Sequence, residues 1–252
     1  METFQTKYGS VSLYSNDKFI VMPFKKGEYW DEAALLKMRE YIDPDRNILE
    51  IGGHCGTSSI VYASYLNKNK RIYVYEPQRN MYDLLVKNVR QNQLQNKIIP
   101  YHSGVFCFKG TGKMNDIDLD CSGGNVMKRY KEEIDQPCNF GGISLGSSGE
   151  SINLTTIDQM NLYDIGFIHC DAQGSENFIF SEARETIKRE RPVILFEDNE
   201  RNARYLYDRV CQSYPQYGSQ SRFNLEKYCM EELNYTQCIY KFNNSMDNLL
   251  IP

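Results

Sequence analysis

Short apolar runs alternate with longer amphipathic stretches along most of this chain. The runs at 48–51, 71–75, 98–101, 165–170 and 192–196 have the length of buried strands and are followed by polar or glycine-rich residues. Helical spacing of apolar positions fills the gaps, at 31–41, 57–66, 80–91, 176–188 and 201–213. Strands that alternate with helices predict an α/β fold with a mostly parallel sheet covered on both faces.

Three segments depart from this alternation. Residues 4–14 and 18–22 predict a short two-stranded flap, and residues 223–228 and 235–242 predict a closing antiparallel pair. Residues 105–151 are rich in Gly, Ser, Asn and Asp without a sustained period, and a segment of that length predicts a functional cover over a site. We therefore expect a single domain over 1–252, divided into a flap and helix (1–46), a cofactor-binding half (47–104), an insertion or cover (105–151) and an acceptor-side half with closing strands (152–252).

Candidate cofactor chemistry lies in the stretch 47–57, NILEIGGHCGT, which indicates a strand, a glycine turn and a helix. The spacing Glu50-x-Gly52-x-x-x-Gly56 differs from the Gly-x-Gly-x-x-Gly that places a diphosphate on a helix. Glu50 could hold an ammonium group, and Glu76, at the end of the next strand, could accept hydrogen bonds from ribose hydroxyls. These features fit S-adenosylmethionine better than a dinucleotide, although an NAD-type fold also places an acid at the end of its second strand.

The predicted cofactor set combines these two strand ends with the turns beside them. Its members are Glu50, Gly52, Gly53, His54, Cys55, Gly56, Thr57, Glu76, Pro77, Ser103, Gly104 and Asp171.

Composition narrows the class of protein. The 252 residues are 41% apolar, and the net charge of −4 argues against a general nucleic-acid binder. No apolar run is long enough to span a membrane, and the N-terminus lacks the pattern of a signal peptide. The eight cysteines include no Cys-x-x-Cys pair, which predicts reduced thiols and a cytoplasmic protein, with a Cys229–Cys238 disulfide as the alternative. They are Cys55, Cys107, Cys121, Cys138, Cys170, Cys211, Cys229 and Cys238.

Candidate catalytic groups lie at the ends of the fourth and fifth buried runs. His169 and Asp171 are two residues apart, so their side chains point to the same face of a strand. His169 could act as a general base or satisfy a buried hydrogen bond, and Asp171 could serve as base, metal ligand or substrate orienter. Asp171, Glu197 and Asp198 could together hold Mg²⁺ or Mn²⁺, with a solvated loop as the alternative for the last two.

Six blocks in this order resemble the FkbM-type methyltransferase family. They are LEIGGHCGT (49–57), VYEP (74–77), NFGG (139–142), TTID (155–158), FIHCDAQGSE (167–176) and RPVILFE (191–197). The resemblance implies a Rossmann-like, seven-stranded class I methyltransferase fold with an antiparallel C-terminal strand pair. It also implies S-adenosylmethionine as donor and O-methylation of a hydroxyl on a small-molecule or glycan acceptor, often a sugar.

The sequence also departs from the family pattern. The family's Lys-Ile-Asp-Val-Glu-Gly-x-Glu stands here as residues 169–176, with His169 in place of Lys and Gln173 in place of the first Glu. Glu50 stands where the family commonly has Asp. These changes bear on proton transfer, and they leave open methylation of another small-molecule hydroxyl in a metal-dependent, catechol-like manner, or a cofactor-binding module without turnover.

Overall fold

A computed structural model describes residues 1–120 and 123–252 of the chain. Its strands are β1 (Glu2–Thr6), β2 (Gly9–Leu13), β3 (Asn47–Ile51), β4 (Ile72–Tyr75), β5 (Ile98–Tyr101), β6 (Gly104–Val105), β7 (Gly110–Met114), β8 (Leu145–Gly146), β9 (Ser151–Thr155), β10 (Ile165–Cys170), β11 (Val193–Glu197), β12 (Gln237–Ile239) and β13 (Asp247–Ile251). Its α-helices are α1 (Val21–Lys25), α2 (Glu32–Met38), α3 (Thr57–Ala63), α4 (Arg79–Gln91), α5 (Val126–Lys131), α6 (Glu176–Ser181), α7 (Arg184–Glu190), α8 (Asn199–Asn202), α9 (Arg204–Ser213), α10 (Gly218–Ser221) and α11 (Leu225–Lys227). Shorter 3₁₀ turns lie at Arg39–Tyr41, Phe140–Gly142, Asp158–Met160, Pro215–Tyr217 and Phe242–Asn244, and a π-helix spans Tyr228–Glu232.

The central sheet has seven strands in the order β12-β13-β11-β10-β3-β4-β5. β13 pairs antiparallel with both of its neighbours, and the other pairings are parallel. This confirms the predicted α/β class, the mostly parallel sheet and the antiparallel C-terminal strand pair. The chain proceeds outward from β3 to β5 and then returns to β10 on the other side of β3, so the crevice for a ligand lies at the carboxyl ends of β3 and β10.

Burial of the parallel strands explains why they could be recognised. Ile48, Leu49 and Ile51 of β3 are at most 3% exposed, as expected where helices cover both faces of a sheet. On α4 the buried side chains recur every three or four residues, at Met81, Leu84, Leu85, Asn88 and Val89.

The segment 105–151 contains more regular structure than its composition suggests. β7 and β8, with the flanking β6 and β9, form a second sheet in the order β6-β9-β7-β8, and α5 lies between β7 and β8. The position of β9 agrees with a short apolar run at Ile152–Leu154 that the sequence favours as a strand. The other three strands were not expected because β6 and β8 have two residues each and β7 contains two glycines, so no alternating pattern is visible.

Both ends of the chain differ from the expectation. The N-terminal hairpin is β1 with β2, whereas residues 18–22 lead into α1 because the Asp17 carboxylate accepts the N–H groups of Phe19 and Ile20. Near the C-terminus, residues 225–228 are helical rather than extended, since Asn224 caps α11 by accepting the N–H of Lys227. The partner of β12 is β13, which the sequence pattern did not reveal.

None of the helices in the described residues combines the length and the apolar character needed to cross a bilayer. Cys229 and Cys238 are both free thiols, so the alternative of a disulfide between them is not realised. Cys121 lies outside the described residues.

Candidate active site

A cavity of 310 Å³ opens at the carboxyl ends of the central strands. It is bounded by the turn after β3, the ends of β4, β10 and β11, and the first residue of β13. The segment before α2 and residues 139–143 close its other sides. This volume lies at the lower end of the range typical of small-molecule sites.

The glycine turn after β3 lets two strand ends approach closely. Gly52 has a φ of +84°, and a Cβ atom there would lie 1.8 Å from the carbonyl oxygen of Asp171. A Cβ atom on Gly53 would lie 2.0 Å from a methyl carbon of Val74. The glycines therefore have a packing role as well as forming one wall of the cavity.

Glu76 lies directly after β4 and lines the cavity. Its carboxylate oxygens accept the backbone N–H groups of His54 and Gln78, each at 2.8 Å. Only 3% of the residue is exposed, and burial raises the pKa of Glu76 to about 8 despite these two hydrogen bonds. Its remaining lone pairs are available to donors inside the cavity, such as the hydroxyls of a ribose.

Glu50 lies one layer below the cavity instead of lining it. Its carboxylate accepts the hydroxyl protons of Ser58 and Ser59 on α3. The Nδ1 atom of His169, its neighbour in the pairing of β3 with β10, is 3.6 Å from Glu50 Oε1. The structure thus joins a predicted cofactor ligand to a predicted catalytic side chain.

His169 does line the cavity. Its Nδ1 atom is 3.2 Å from the hydroxyl oxygen of Tyr62, which donates its own proton to the sulfur of Met38 at 2.8 Å. Burial favours the neutral ring, but the hydrogen bond and the charge of Glu50 outweigh it and raise the pKa of His169.

A network of amides connects the carboxylates that follow β10 and β11. The Nε2 amide of Gln173 donates to Asp171 at 2.5 Å and to Glu197 at 3.0 Å. Asn199 donates to the same oxygen of Glu197 at 2.7 Å. Burial and the charge of Asp171 raise the pKa of Glu197 well above its ordinary value, and burial raises the pKa of Glu176 to about 8. Gln173, which replaces the family's Glu, therefore separates two carboxylates that would repel each other.

The three acids predicted as metal ligands do not converge. Asp198 turns away from the cavity to cap α8 through the N–H of Arg201, and it accepts a hydrogen bond from Asn248. The amide of Gln173 occupies the space between Asp171 and Glu197. Throughout the described residues, no group of three or more His, Cys, Asp or Glu side chains is placed to hold a metal ion. These residues therefore do not fit the predicted Mg²⁺ or Mn²⁺.

Two further acids, Asp31 and Asp247, line the cavity at the side of α2 and β13. Asp31 does not cap α2 with its side chain, as its place in the sequence suggested, and it has a φ of +50°. Burial and the charge of Asp247 raise the pKa of Asp31 to about 6. Within the part of the chain that is described, no Lys or Arg lines the cavity, so it has the charge of a site for cationic or neutral molecules.

The segment 139–143 belongs to the cavity wall and is fixed to the cofactor side. Gln78 donates through Nε2 to the carbonyl of Phe140 at 2.8 Å, and its own N–H binds Glu76. Asn139 is held by Asp118, which accepts its N–H, and by Asp120, which accepts its amide. The block NFGG is therefore in place beside Glu76 and His54.

The predicted cofactor residues separate into two groups. Those that line the cavity are Gly52, Gly53, His54, Thr57, Glu76, Pro77, Gly104 and Asp171, whereas Glu50, Cys55, Gly56 and Ser103 do not. Cys55 is fully buried, and burial raises its pKa. His54 lines the cavity, and neither ring nitrogen makes a hydrogen bond to a described residue, although Nε2 is 3.9 Å from a carboxylate oxygen of Asp17. Burial lowers the pKa of His54 to about 4.

Known proteins are similar to this chain in structure rather than in sequence. No protein-family model and no curated protein matches the chain. The crystal structure of methyltransferase FkbM from Methylobacillus flagellatus KT matches with a TM-score of 0.50 and 15% identity, over 84% of this chain and 44% of that protein. The chain has a methyltransferase fold. An O-methyltransferase from Bacillus cereus, solved in complex with SAH, has a TM-score of 0.46 and 14% identity, over 94% of this chain and 84% of that one.

The fold that the motif resemblance implied is thus confirmed. This chain spans less than half of the length of the FkbM methyltransferase it matches.

Sequence reasoning missed four residues that complete the site. Asp247 begins a terminal strand that the sequence pattern does not show, and Asp31 stands at a position typical of a helix N-cap rather than of a ligand site. Gln78 and Gln173 are neutral side chains whose importance depends on partners distant in sequence. The block resemblance marked the position of Gln173 as a departure, which was the one available signal.

Proposed function

We propose that this protein transfers a methyl group from S-adenosylmethionine to a hydroxyl of a sugar or glycan. The observation that supports the proposal best is the buried carboxylate of Glu76, directed by two backbone N–H groups and lining a cavity at the switch point of a methyltransferase fold. A ribose diol supplies the donors that such a carboxylate needs.

The residues around the cavity fit this donor. The glycine turn at 52 and 53 admits the donor's amino-acid end, and Asp171 is close enough to that turn to face its ammonium group. Tyr75, Val105 and Leu145 give the cavity apolar lining that suits the adenine ring. The lack of Lys and Arg among the described lining residues favours a donor without a diphosphate.

The bound donor supplies a sulfonium whose methyl carbon is already electrophilic. The protein's own contribution is therefore to align the acceptor oxygen with that carbon and to accept one proton. His169 and Asp171 are the two predicted proton acceptors, and both line the cavity. The proposed mechanism has no metal step, because Asp198 faces away from the cavity and the amide of Gln173 lies between Asp171 and Glu197.

The charge of the cavity limits the acceptor. Asp31, Asp171 and Asp247 would repel a phosphorylated or otherwise anionic sugar, whereas an uncharged or amino-bearing sugar avoids this repulsion. Trp30, the only tryptophan, precedes Asp31 and also lines the cavity, where its indole ring offers a face for stacking on a sugar ring.

Binding and turnover are tested separately. S-adenosylhomocysteine at roughly a hundred times its Kd should add about 2.7 kcal/mol of stability, which is on the order of 5–10 °C in Tm, while NAD should add nothing. Turnover is then measured by transfer of labelled methyl to neutral sugars, amino sugars and phosphorylated sugars. Stabilisation by NAD alone, or by neither compound, would refute the proposal.

Variants distinguish an enzyme from a cofactor-binding module. His169→Gln should reduce turnover by about 10²- to 10⁴-fold, the usual contribution of a general base, and leave S-adenosylhomocysteine binding unchanged. His102→Gln is the matched control because His102 does not line the cavity. Equal turnover in all three proteins would show that His169 plays no chemical part.

The acidic lining favours one second candidate, methyl transfer to the nitrogen of an amine. A small cationic amine would be attracted by Asp31 and Asp247, and the same assay with simple amines tests it. Methylation of amines that lack a hydroxyl, without methylation of sugars, would replace the hydroxyl proposal.

A further inference from the structure

Glu50, Tyr62 and His169 form a buried array directly beneath the cavity. Glu50 and His169 are paired residues of β3 and β10, so their side chains leave the same face of the sheet. Tyr62 projects from α3, which covers that face, and its ring meets the ring of His169 edge-on at 5.8 Å between centroids. The three side chains come from three separate elements.

The hydrogen bonds of this array have a consistent direction. Ser58 and Ser59 donate to Glu50, and Tyr62 donates to Met38, so Glu50 and Tyr62 are left as acceptors toward His169. The nitrogen that faces both of them is Nδ1, at 3.6 Å and 3.2 Å respectively. A proton on Nδ1 satisfies this arrangement, and the lone pair of the neutral ring is then on Nε2.

Nε2 is the nitrogen left for the cavity. It makes no hydrogen bond to any described residue, while the His169 side chain lines the cavity and is 16% exposed. By contrast, the carboxylate of Asp171 already accepts the amide of Gln173. The two candidate bases therefore differ in how free they are to take a proton.

We propose that Glu50 and Tyr62 are positioning residues that hold His169 with Nε2 toward the acceptor as the general base. This inference rests on the proposed methyl transfer and assigns Glu50 a role other than holding the donor's ammonium group. In the step, the acceptor O–H bond breaks and its proton moves to Nε2, the oxygen forms a bond to the methyl carbon, and the carbon–sulfur bond breaks with its electron pair returning to sulfur. Glu50 stabilises the imidazolium so formed, which then releases its proton to water.

The charged groups around His169 come from several elements. Glu50 lies on β3, Asp171 follows the same strand as His169, Asp247 begins β13 and Asp31 precedes α2. All four favour the protonated ring, but Glu50 is the one in contact with Nδ1. Replacing Glu50 should therefore move the pKa of His169 more than replacing Asp247.

The test measures the ring directly as well as through activity. The chain has three histidines, so the imidazole signals in nuclear magnetic resonance spectra are few, and a His169→Gln spectrum assigns the one of interest. In the wild type we expect a His169 pKa above about 6.5 and the Nδ1–H tautomer at high pH. In Glu50→Gln we expect that pKa to fall, and in Tyr62→Phe a weaker preference for that tautomer.

Activity gives the second readout. Glu50→Gln should lower kcat by on the order of tenfold and move the acid limb of the kcat profile to lower pH, while the Kd of S-adenosylhomocysteine stays within about twofold. Glu190→Gln, a carboxylate that accepts the N–H of Ile165 at the other end of β10, is the control and should change neither quantity.

Different results would overturn the role of Glu50 and the proposed methyl transfer. A tenfold or larger loss of S-adenosylhomocysteine affinity in Glu50→Gln, with His169 titrating as before, would return Glu50 to the role of donor ligand and overturn the inference. Absence of any donor binding in the wild type would refute the methyltransferase proposal, and the histidine titrations would still decide whether Glu50 controls His169. If Glu50→Gln does not fold, Tyr62→Phe decides, since an unchanged tautomer and kcat would overturn the inference.

Discussion

At the scale of single residues, the site depends on where each carboxylate stands relative to the end of its strand. Glu76, Asp171 and Asp247 lie at or just beyond strand ends and reach the cavity. Glu50 lies inside β3, two positions before the level of Glu76 and Asp171, and contacts the covering helix α3 instead. A difference of two positions along a strand, which keeps the side chain on the same face, therefore decides whether a carboxylate meets a ligand or another side chain.

Glu76 leads to a prediction about proton release. Because the pKa of Glu76 is about 8 in the free protein, most of the Glu76 side chains are protonated at pH 7. Two ribose hydroxyls donate hydrogen bonds and would therefore bind the ionised carboxylate. Binding of S-adenosylhomocysteine should therefore strengthen roughly tenfold between pH 7 and 9 and release close to one proton at pH 7. Calorimetry in buffers of different ionisation enthalpy measures both quantities.

Glu76→Gln is the comparison for that experiment. The variant should bind more weakly and lose the pH dependence. If the wild type releases no proton and binds equally at both pH values, Glu76 does not meet the ribose as a carboxylate.

The ligand-facing residues could be predicted from sequence only where a local pattern marks them. Glu76 was found because a carboxylate ends an apolar run, and the glycines were found because they follow one. Asp31 and Gln173 could not be found in this way, because their roles depend on charges and amides brought together by the fold.

At the scale of elements, the turn after β3 joins two halves of the sheet at close range. The positive φ of Gly52 is one requirement, and its approach to the Asp171 carbonyl is a second, independent one. The turn was recognisable in the sequence, but the partner that makes Gly52 irreplaceable was not.

Gly52→Ala and Gly27→Ala separate these two requirements. Gly27 also has a positive φ, +78°, but a Cβ atom there would meet nothing within 4 Å. Gly27→Ala should therefore cost about 1 kcal/mol of unfolding free energy from backbone strain, and Gly52→Ala at least about 2 kcal/mol more because two backbones must move apart. Urea denaturation of the three proteins measures the difference, and equal losses would show that the contact with Asp171 has no energetic weight.

Element boundaries were predicted well for the buried strands and for α4, and less well elsewhere. β3, β4, β5, β10 and β11 carry continuous apolar runs, which few other structures explain. The sequence pattern predicts one helix over 176–188. The structure has two helices, α6 and α7, because Glu182 and Ala183 are not helical and interrupt it. That break leaves the apolar period unchanged, so the sequence pattern does not show it.

At the scale of the whole molecule, several buried acids hold protons that they would lose on unfolding. Burial raises the pKa of Glu76 and of Glu176 to about 8, far above the value near 4.5 that each has in an unfolded chain. The folded state then binds more protons than the unfolded state, so these groups stabilise the fold most at low pH and lose that effect as the pH rises to about 8. His54 acts oppositely, because its pKa of about 4 lies below 6.5, but only below pH 6.5.

We therefore expect the free protein to become less stable between pH 6.5 and 8. Each of the two glutamates should contribute a slope of about 1.3 kcal/mol per pH unit near pH 6.5, which falls to about 0.7 at pH 8 because half of these side chains are then ionised. Denaturant unfolding at pH 6.5, 7.2 and 8 measures the trend. Glu176→Gln should reduce the slope, and a stability that is constant or rises with pH would contradict the assignment of these protons.

The pairing of β6 with β9 has a consequence for how this protein could be altered. Gly104 and Leu154 are paired neighbours, so the chain enters and leaves the intervening segment at almost the same point. The cost of closing a loop changes slowly with its length, and the central sheet does not depend on how far that loop extends. A segment bounded in this way can be exchanged as a cassette, provided that the replacement keeps Phe140 beside Gln78 and Leu145 in the cavity wall. Such chimeric proteins would keep one donor site and differ in the rest of the cover.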